Sequence, residues 1–510
     1  MFDNQIEILI IHIAFPCYIK KYSKMAEIVL IQPSYGSWEN MGARLPHAML
    51  SIASMPVKKG YDVVLIDQRV DQDWKQKLID HCKKGPVCVA VSTTTGMMIN
   101  NCFELVKIIK EHTDAPVIWG GPHPTLFPEQ TIKHPLVDMV MVGEGEFTFM
   151  KLIERLEKNL PIDDIPGLLY KKDGQVHKNA EREIIKDFEI IPDLPYNLVD
   201  FNKYYGLNFD AEKPSITMIT SRGCPYTCGF CAIPILYNRS WKALRPEKVI
   251  ERLKFMTDKY GIKDFYFQED NFAFDLKRVK GIAEGIMKEK MDITWGTLGI
   301  RADTICRIDN DLLKKMFDSG ARQLDVGVES GNQRVLDMIG GSKKVVDMEA
   351  ANKKVAKYPI SMKYTFIAGY PTETHDELQD SVNLAMKMLK DNKHAYAPFF
   401  VACPYPGTKL YNTALEKGLK VPDSLEGWAG FDQTIPMYEN TPWMTKKHFN
   451  TSKMLALTSY FTSKNMAIKY GKKHMRVLLS LYHHFAKFRF KHMINQMFIE
   501  GKVAEKMFYS

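Results

Sequence analysis

The chain alternates short apolar strands with amphipathic helices in two separate runs, and that rhythm leaves few folds open. In the first run the strands read Ile28–Gln32, Asp62–Ile66, Val87–Val91, Pro116–Trp119 and Asp138–Val142. Helix-period apolar positions fill Pro46–Lys58, Trp74–Lys83, Met97–Glu111 and Thr125–Lys133, and continue at Glu146–Glu157 beyond the last strand. Strands that alternate with helices predict a parallel, doubly wound α/β sheet. The second run has six strands, at Ser215–Thr220, Asp264–Gln268, Thr294–Leu298, Gln323–Val328, Lys363–Ala368 and Ala397–Ala402, most followed by helix-period sequence. Six βα units make a partial (βα)6 barrel of the TIM type. Between the runs lies a connector rich in proline (Pro161, Pro166, Pro192, Pro195), with a hairpin predicted at Leu168–Tyr170 and Gln175–His177. A chain of 510 residues has room for two to four domains.

Both folds put ligands at the carboxyl ends of their strands. Directly after the first strand of the second run stands Ser221-Arg-Gly-Cys-Pro-Tyr-Thr-Cys-Gly-Phe-Cys231. Cys224, Cys228 and Cys231 on one short loop can each take a different iron of a 4Fe-4S cubane, leaving the fourth iron without a protein ligand. The competing readings are a zinc site and chance clustering. A structural zinc site is closed by four ligands, usually in two pairs, and no second pair lies nearby. The other six of the nine cysteines, Cys403 among them, are scattered singly. They read as free thiols in a reducing, cytoplasmic compartment. No apolar run reaches the ~18 uncharged residues of a membrane span.

The cysteine loop and its setting resemble the radical S-adenosylmethionine enzymes, in which S-adenosylmethionine chelates the open iron and is cleaved to a 5'-deoxyadenosyl radical. The strand-end loops of the first run are small and polar: Pro33-Ser-Tyr-Gly36, Ser92-Thr-Thr-Thr-Gly96, Gly120-Gly-Pro-His123 and Gly143-Glu-Gly-Glu146. Their order resembles the Rossmann-like cobalamin-binding domain of one large class of those enzymes, the class B methyltransferases and the anaerobic magnesium-protoporphyrin ester cyclase. The resemblance runs from about Met25 to Lys420. It implies contacts to cobalamin from Gly36, Ser92, Thr94, Gly120, Gly121 and Glu144. The stretch Gly36-Ser-Trp-Glu-Asn-Met-Gly42 lacks the histidine that ligates cobalt from below in mutases. His123 reads as a surface or phosphate contact. In the barrel the resemblance implies contacts to S-adenosylmethionine from Phe230 beside the adenine, and from Glu269 or Asp270 toward the amino group. It further implies Arg301 near the carboxylate, Glu329 and Ser330 toward the ribose, and Gly369 against the adenine. Tyr405, in Pro404-Tyr-Pro-Gly-Thr408, is a candidate substrate-pocket residue or part of a rigid turn.

The predicted organisation is an extension of no assigned role (1–24), a cobalamin-type domain (25–159), a connector (160–213), the barrel (214–420) and a basic helical region (421–510). From Lys446 to Ser510 there are 13 Lys/Arg against two Asp/Glu, whereas the whole chain carries a net +9. Mixed with aromatics at helical spacing, such a tail reads as a helix on an anionic membrane surface or as a capping helix with a solvated face. Nucleic acid is not expected, because no RNA module is present and the body is near neutral. The resemblance implies cobalamin-dependent methyl transfer to an unactivated carbon of a small-molecule or lipid-like substrate, with electrons from a flavodoxin or ferredoxin. The alternatives are radical oxidative cyclisation or carbon-carbon bond formation without methyl transfer, and a cobalamin-binding protein without turnover.

Overall fold

The computed structural model describes residues 27–36, 43–204, 215–432, 436–463 and 476–495. The extension at 1–24 and most of the Gly36–Gly42 loop lie outside the described residues. The first sheet has the order β2-β1-β3-β4-β5-β6-β7, built from β1 (Glu27–Gln32), β2 (Asp62–Asp67), β3 (Cys88–Ser92), β4 (Val117–Gly120), β5 (Met139–Met141), β6 (Leu168–Lys172) and β7 (Gln175–Lys178). β1 to β5 are parallel, and the strand order reverses between β1 and β3, where the crevice of a doubly wound sheet opens. Helices cover both faces, so β1 and β3 are apolar along nearly their whole length rather than alternating. The connector's hairpin, β6 and β7, adds antiparallel to β5 and so extends the first sheet. The expected helix Thr125–Lys133 is two short helices, Pro122–Leu126 and Pro128–Lys133. Pro128 cannot donate to the first of them and instead starts the second.

The second sheet is a parallel half-barrel in the order β15-β14-β13-β12-β11-β8, with β16 also on β14. Its strands are β8 (Ser215–Met218), β11 (Asp264–Phe267), β12 (Thr294–Ile300), β13 (Ala321–Glu329), β14 (Ser361–Ala368), β15 (Ala395–Tyr396) and β16 (Phe399–Val401). A small hairpin, β9 (Ser221–Gly223) and β10 (Trp241–Ala243), is inserted after β8. The sixth expected strand is split around Ala397-Pro398, since proline lacks the N–H that a continuous ladder needs. Along β13, Leu324, Val326 and Val328 face the helices, while Gln323, Asp325, Gly327 and Glu329 alternate toward the lumen.

The chain stitches the two sheets together. From the first domain, Leu45 and Leu50 enter the barrel's apolar core. His47 Nε2 lies 2.9 Å from Thr217 Oγ1 on β8, and the Arg44 guanidinium sits 5.9 Å from the centre of the Tyr266 ring on β11. In the other direction, Tyr411, Leu419, Leu425, Trp428 and Phe431, which follow the barrel, complete the core of the first domain. Trp428 is fully buried and donates to Gln130 Oε1 at 2.6 Å. The first stretch of the region expected to form a basic tail is therefore part of the first domain's packing. The chain then returns to the barrel through Trp443 and Met444 and the helix Lys446–Thr458. The helix Arg476–Lys491 places Phe490 edge-on to Phe399 of β16.

Candidate functional site

The three cysteines leave the β9–β10 hairpin at the carboxyl end of β8. Gly223 ends β9 at φ +83°, and a side chain there would overlap the Ser240 carbonyl, so only glycine makes this corner. Its N–H donates to Asp270 Oδ2 at 2.8 Å. The middle of the loop is fixed by two backbone bonds, Gly229 N–H to Ile339 O at 2.6 Å and Leu410 N–H to Gly229 O at 2.8 Å. Opposite the loop runs Gly340-Gly-Ser-Lys343; a Cβ on Gly341 would lie 2.5 Å from Cys228 Sγ. All three thiols are partly buried. Burial pushes each pKa up, Cys231 to about 12, while Arg301 opposes the shift at Cys224 and Lys343 and Arg301 oppose it at Cys228. Among the described residues no three His, Cys, Asp or Glu side chains close on a single metal ion. A cubane spreads its thiolates over separate irons, and three soft sulfurs with cations beside them fit that group.

The residues expected around S-adenosylmethionine separate into those that face the loop and those that hold the fold. Glu269 is a holding residue. Its buried carboxylate accepts from Thr220 N at 2.8 Å and from the hydroxyls of Thr220 and Ser221, so both oxygens are spent on the junction after β8. Asp270 keeps one oxygen beyond its bond to Gly223. Burial raises it to about 6, against the pull of the Gly223 N–H, with the neighbouring Glu269 charge adding to the rise. Asn271 Nδ2 lies 3.7 Å from Cys224 Sγ. Arg301 packs its guanidinium 3.8 Å from the centre of the Tyr226 ring, inside the cysteine loop, and bonds Asp303 at 2.8 Å.

Glu329 adopts φ +71°, in the left-handed region, at a bulge between β13 and β14. Its carboxylate is held at 2.8 Å by Lys343, which also bonds Gly327 O at 2.6 Å. Glu329 thus combines a left-handed backbone with a buried ion pair at a strand end. Ser330, by contrast, is fully buried and ties β13 to the helix His375–Asp391 through Ser381 at 3.2 Å. Gly369 is not open to a ligand: its N–H goes to Glu373 at 2.5 Å, its carbonyl takes Trp443 Nε1 at 2.8 Å, and a Cβ would collide with Met444. Phe230 rests near the Tyr370 ring, 6.3 Å between centres. Tyr405 forms the turn before the helix Lys409–Glu416, its carbonyl accepting from Thr408.

At the first sheet's strand ends, among the described residues, Gly120 has nothing within 4 Å of its Cβ position and Gly36 has only Met97, at 3.7 Å. Backbone there is free for close approach by a large ligand, which fits a cobalamin tail. Thr94 follows β3 with its hydroxyl 3.7 Å from the Met98 sulfur. Gly121 serves the fold instead, pressed against Ser92 and the Thr93 backbone. Glu144 is committed elsewhere: it accepts from Lys242 at 2.5 Å and from Arg222 at 3.2 Å, both on the β9–β10 hairpin. His123 is fully buried, bonded to Thr95 and packed on Phe127 and Trp428, rather than at the surface. Burial drives its pKa down to about 4.

Sequence reading missed Arg222, Lys242, Asn271, Gly341 and Lys343. For Gly341 and Lys343 a signal existed, since Gly-Gly-Ser-Lys follows a strand-helix unit on the catalytic face. It also missed a lumen network in which Asp325 accepts from Tyr266 at 2.5 Å and pairs with Lys363 at 3.1 Å.

Residues 218–385 match the radical SAM superfamily and residues 28–153 the B12 binding domain. The chain is 31% identical over 456 residues to an uncharacterized methyltransferase of Pyrococcus horikoshii, PH0819, covering 88% of this chain and 95% of that one. It is 24% identical to the anaerobic magnesium-protoporphyrin IX monomethyl ester cyclase of a Synechocystis species, covering 82% of each. Among solved structures it resembles the cobalamin-dependent S-adenosylmethionine radical enzyme OxsB, determined with aqua-cobalamin and S-adenosylmethionine bound. The TM-score is 0.71 at 18% identity, over 95% of this chain and 75% of that one.

Two expectations follow from the packing. Gly341→Ala forces a methyl group onto Cys228 Sγ, so the reconstituted variant retains its fold by circular dichroism but holds less iron than wild type. The second concerns Glu373, wholly buried near Gly369, with burial raising its pKa from 4.5 to about 8. Unfolding frees it to ionise near 4.5, so the unfolded state binds fewer protons and stability falls between pH 4.5 and 8. Glu373→Gln removes that slope: urea denaturation shows its stability relative to wild type rising across this window and levelling above pH 8.

Proposed function

The chain belongs to the radical S-adenosylmethionine enzymes that carry a B12-binding domain, and from that membership we propose that it transfers a methyl group to an unactivated carbon of a small-molecule or lipid-like substrate. Its cofactors are those of the family: a 4Fe-4S cluster, S-adenosylmethionine and cobalamin. The observation that supports the reading is that the hairpin carrying the cysteine loop is ion-paired, through Arg222 and Lys242, to Glu144 and Glu146 after β5 of the first sheet, as a shared reaction space for both cofactors would need.

When bound, the cluster supplies one electron and an open iron to S-adenosylmethionine, and cobalamin supplies a carrier for the methyl group. Cys224, Cys228 and Cys231 hold the cluster, with Arg301 and Lys343 offsetting its negative charge. Asp270 presents a carboxyl oxygen next to Cys224, suited to an ammonium group, and Glu329 presents its carboxylate from the next strand but one. Phe230 and Tyr370 keep water from that side. Tyr266, Asp325 and Lys363 in the lumen give a substrate polar groups for orientation, and fixed orientation is a large part of what a protein contributes to such chemistry. Electrons come from a flavodoxin- or ferredoxin-type donor.

Cyclisation without methyl transfer is the second reading, favoured by the likeness to the ester cyclase over four fifths of both chains. Products decide between them. Anaerobically reconstituted protein consuming S-adenosylmethionine yields S-adenosylhomocysteine with 5'-deoxyadenosine if it methylates, and only the latter if it cyclises. Neither product means a binding protein. The variant with Cys224, Cys228 and Cys231 all changed to Ala loses the absorption near ~400 nm and both products.

We also propose peripheral contact with an anionic membrane. Among the described residues no helix is long and apolar enough to cross one. The helix Arg476–Lys491 exposes half or more of Phe485 and Phe488 beside the exposed Lys487 and Lys491, an apolar pair with cations as found on interfacial helices. The full chain should pellet with vesicles of phosphatidylcholine and phosphatidylglycerol, and Phe485→Ser/Phe488→Ser should abolish this. Equal recovery with pure phosphatidylcholine vesicles overturns the contact.

A further inference from the structure

The β9–β10 hairpin carries the first cluster cysteine, yet its side chains are gripped by the other domain. Arg222 Nη1 donates to Glu146 Oε1 at 2.6 Å and to Glu144 Oε1 at 3.2 Å, and Nη2 donates to Ser51 Oγ at 2.7 Å. Ser51 in turn donates to Glu146 at 2.6 Å. Across the hairpin, Lys242 pairs with Arg222 in the antiparallel register and donates to Glu144 Oε2 at 2.5 Å and to Ile185 O at 2.5 Å. Glu144, Glu146, Ser51 and Lys242 are all buried, and Phe188 covers the guanidinium at 4.8 Å. Glu144 lies in the loop after β5, at the carboxyl-end face of the first sheet where its ligand crevice opens, and Glu146 begins the helix Glu146–Glu157 that follows. Two residues after Arg222 comes Cys224, and the peptide between them is clamped on its far side by Asp270.

We propose that Arg222 is a positioning residue that couples occupancy of the first domain's crevice to the geometry of the cluster loop. The coupling rests on the reading that this crevice takes cobalamin. A ligand that settles the loop Gly143–Glu146 settles both carboxylates. The planar fork of Arg222, held at three acceptors, passes that position to Gly223 and so to Cys224. Lysine at 222 keeps the charge but offers one point instead of a fork.

The test is amide hydrogen exchange by mass spectrometry on the full, cluster-loaded chain under anaerobic conditions, with and without hydroxocobalamin. Peptides covering 92–98 report the crevice and peptides covering 221–231 report the cluster loop. In wild type both slow when hydroxocobalamin is added. In Arg222→Met, with iron content matched to wild type, 92–98 still slows and the slowing at 221–231 is lost. Arg222→Lys, the milder variant if Arg222→Met does not fold, shows a reduced effect at 221–231 only. The proposal is overturned if 221–231 responds equally in wild type and Arg222→Lys, or if it does not respond in wild type while 92–98 does. If neither peptide responds in wild type, the cobalamin reading itself fails and the coupling falls with it.

Discussion

The buried ion cluster of Arg222, Lys242, Glu144 and Glu146 is the constraint on which the rest of the architecture depends. Charges removed from water are costly unless each is paired, and removing one partner from such a set costs about 3–5 kcal/mol. Parting the two domains would rehydrate these groups, whereas a small slip would leave them buried and unpaired. The joint therefore opposes any slip of one domain against the other. With the pairs made, the crevice of the doubly wound sheet and the carboxyl ends of the half-barrel strands are fixed relative to each other, as two cofactors acting on one substrate require.

Apolar exchange between the domains supports the same seating. Leu45 and Leu50 are counted in the barrel core, while Tyr411 and Trp428 are counted in the core of the first domain. Neither domain buries a complete core without chain supplied by the other. Within this frame the cysteine loop is restrained at its entry by Gly223 and Asp270, in its middle by Ile339 and Leu410, and along its flank by Gly341. A cluster loop pinned at several points before metal arrives spends little of the binding energy on ordering itself.

Much of this was legible in the sequence. The alternation of short apolar runs with helix-period segments located both sheets to within a residue or two at most strands, because a parallel sheet needs buried apolar runs separated by amphipathic helices. The three cysteines stand out in the sequence by the spacing that a cubane cluster would need. What was not legible depends on long-range contact. Nothing local distinguishes Glu269, which spends its oxygens on Thr220 and Ser221, from its neighbour Asp270, which does not. Gly369 looked like room for adenine, but Met444, some 75 residues later in the chain, occupies that approach. Glu144 looked like a strand-end ligand contact and is instead half of the domain joint, a role set by Arg222 and Lys242. The split of the last barrel strand at Pro398 was readable in principle, since a proline within a strand has no N–H to give to the ladder.

The central claim is that Cys224, Cys228 and Cys231 hold a 4Fe-4S cluster whose fourth iron is left for S-adenosylmethionine. Electron paramagnetic resonance of the reduced cluster tests it most directly, recorded with S-adenosylmethionine carrying 15N in its amino group. Binding at an open iron changes the g-values and gives a 15N hyperfine coupling in the electron-nuclear double-resonance spectrum. A reduced cluster whose spectrum is unchanged by S-adenosylmethionine, with no 15N coupling, would contradict the account.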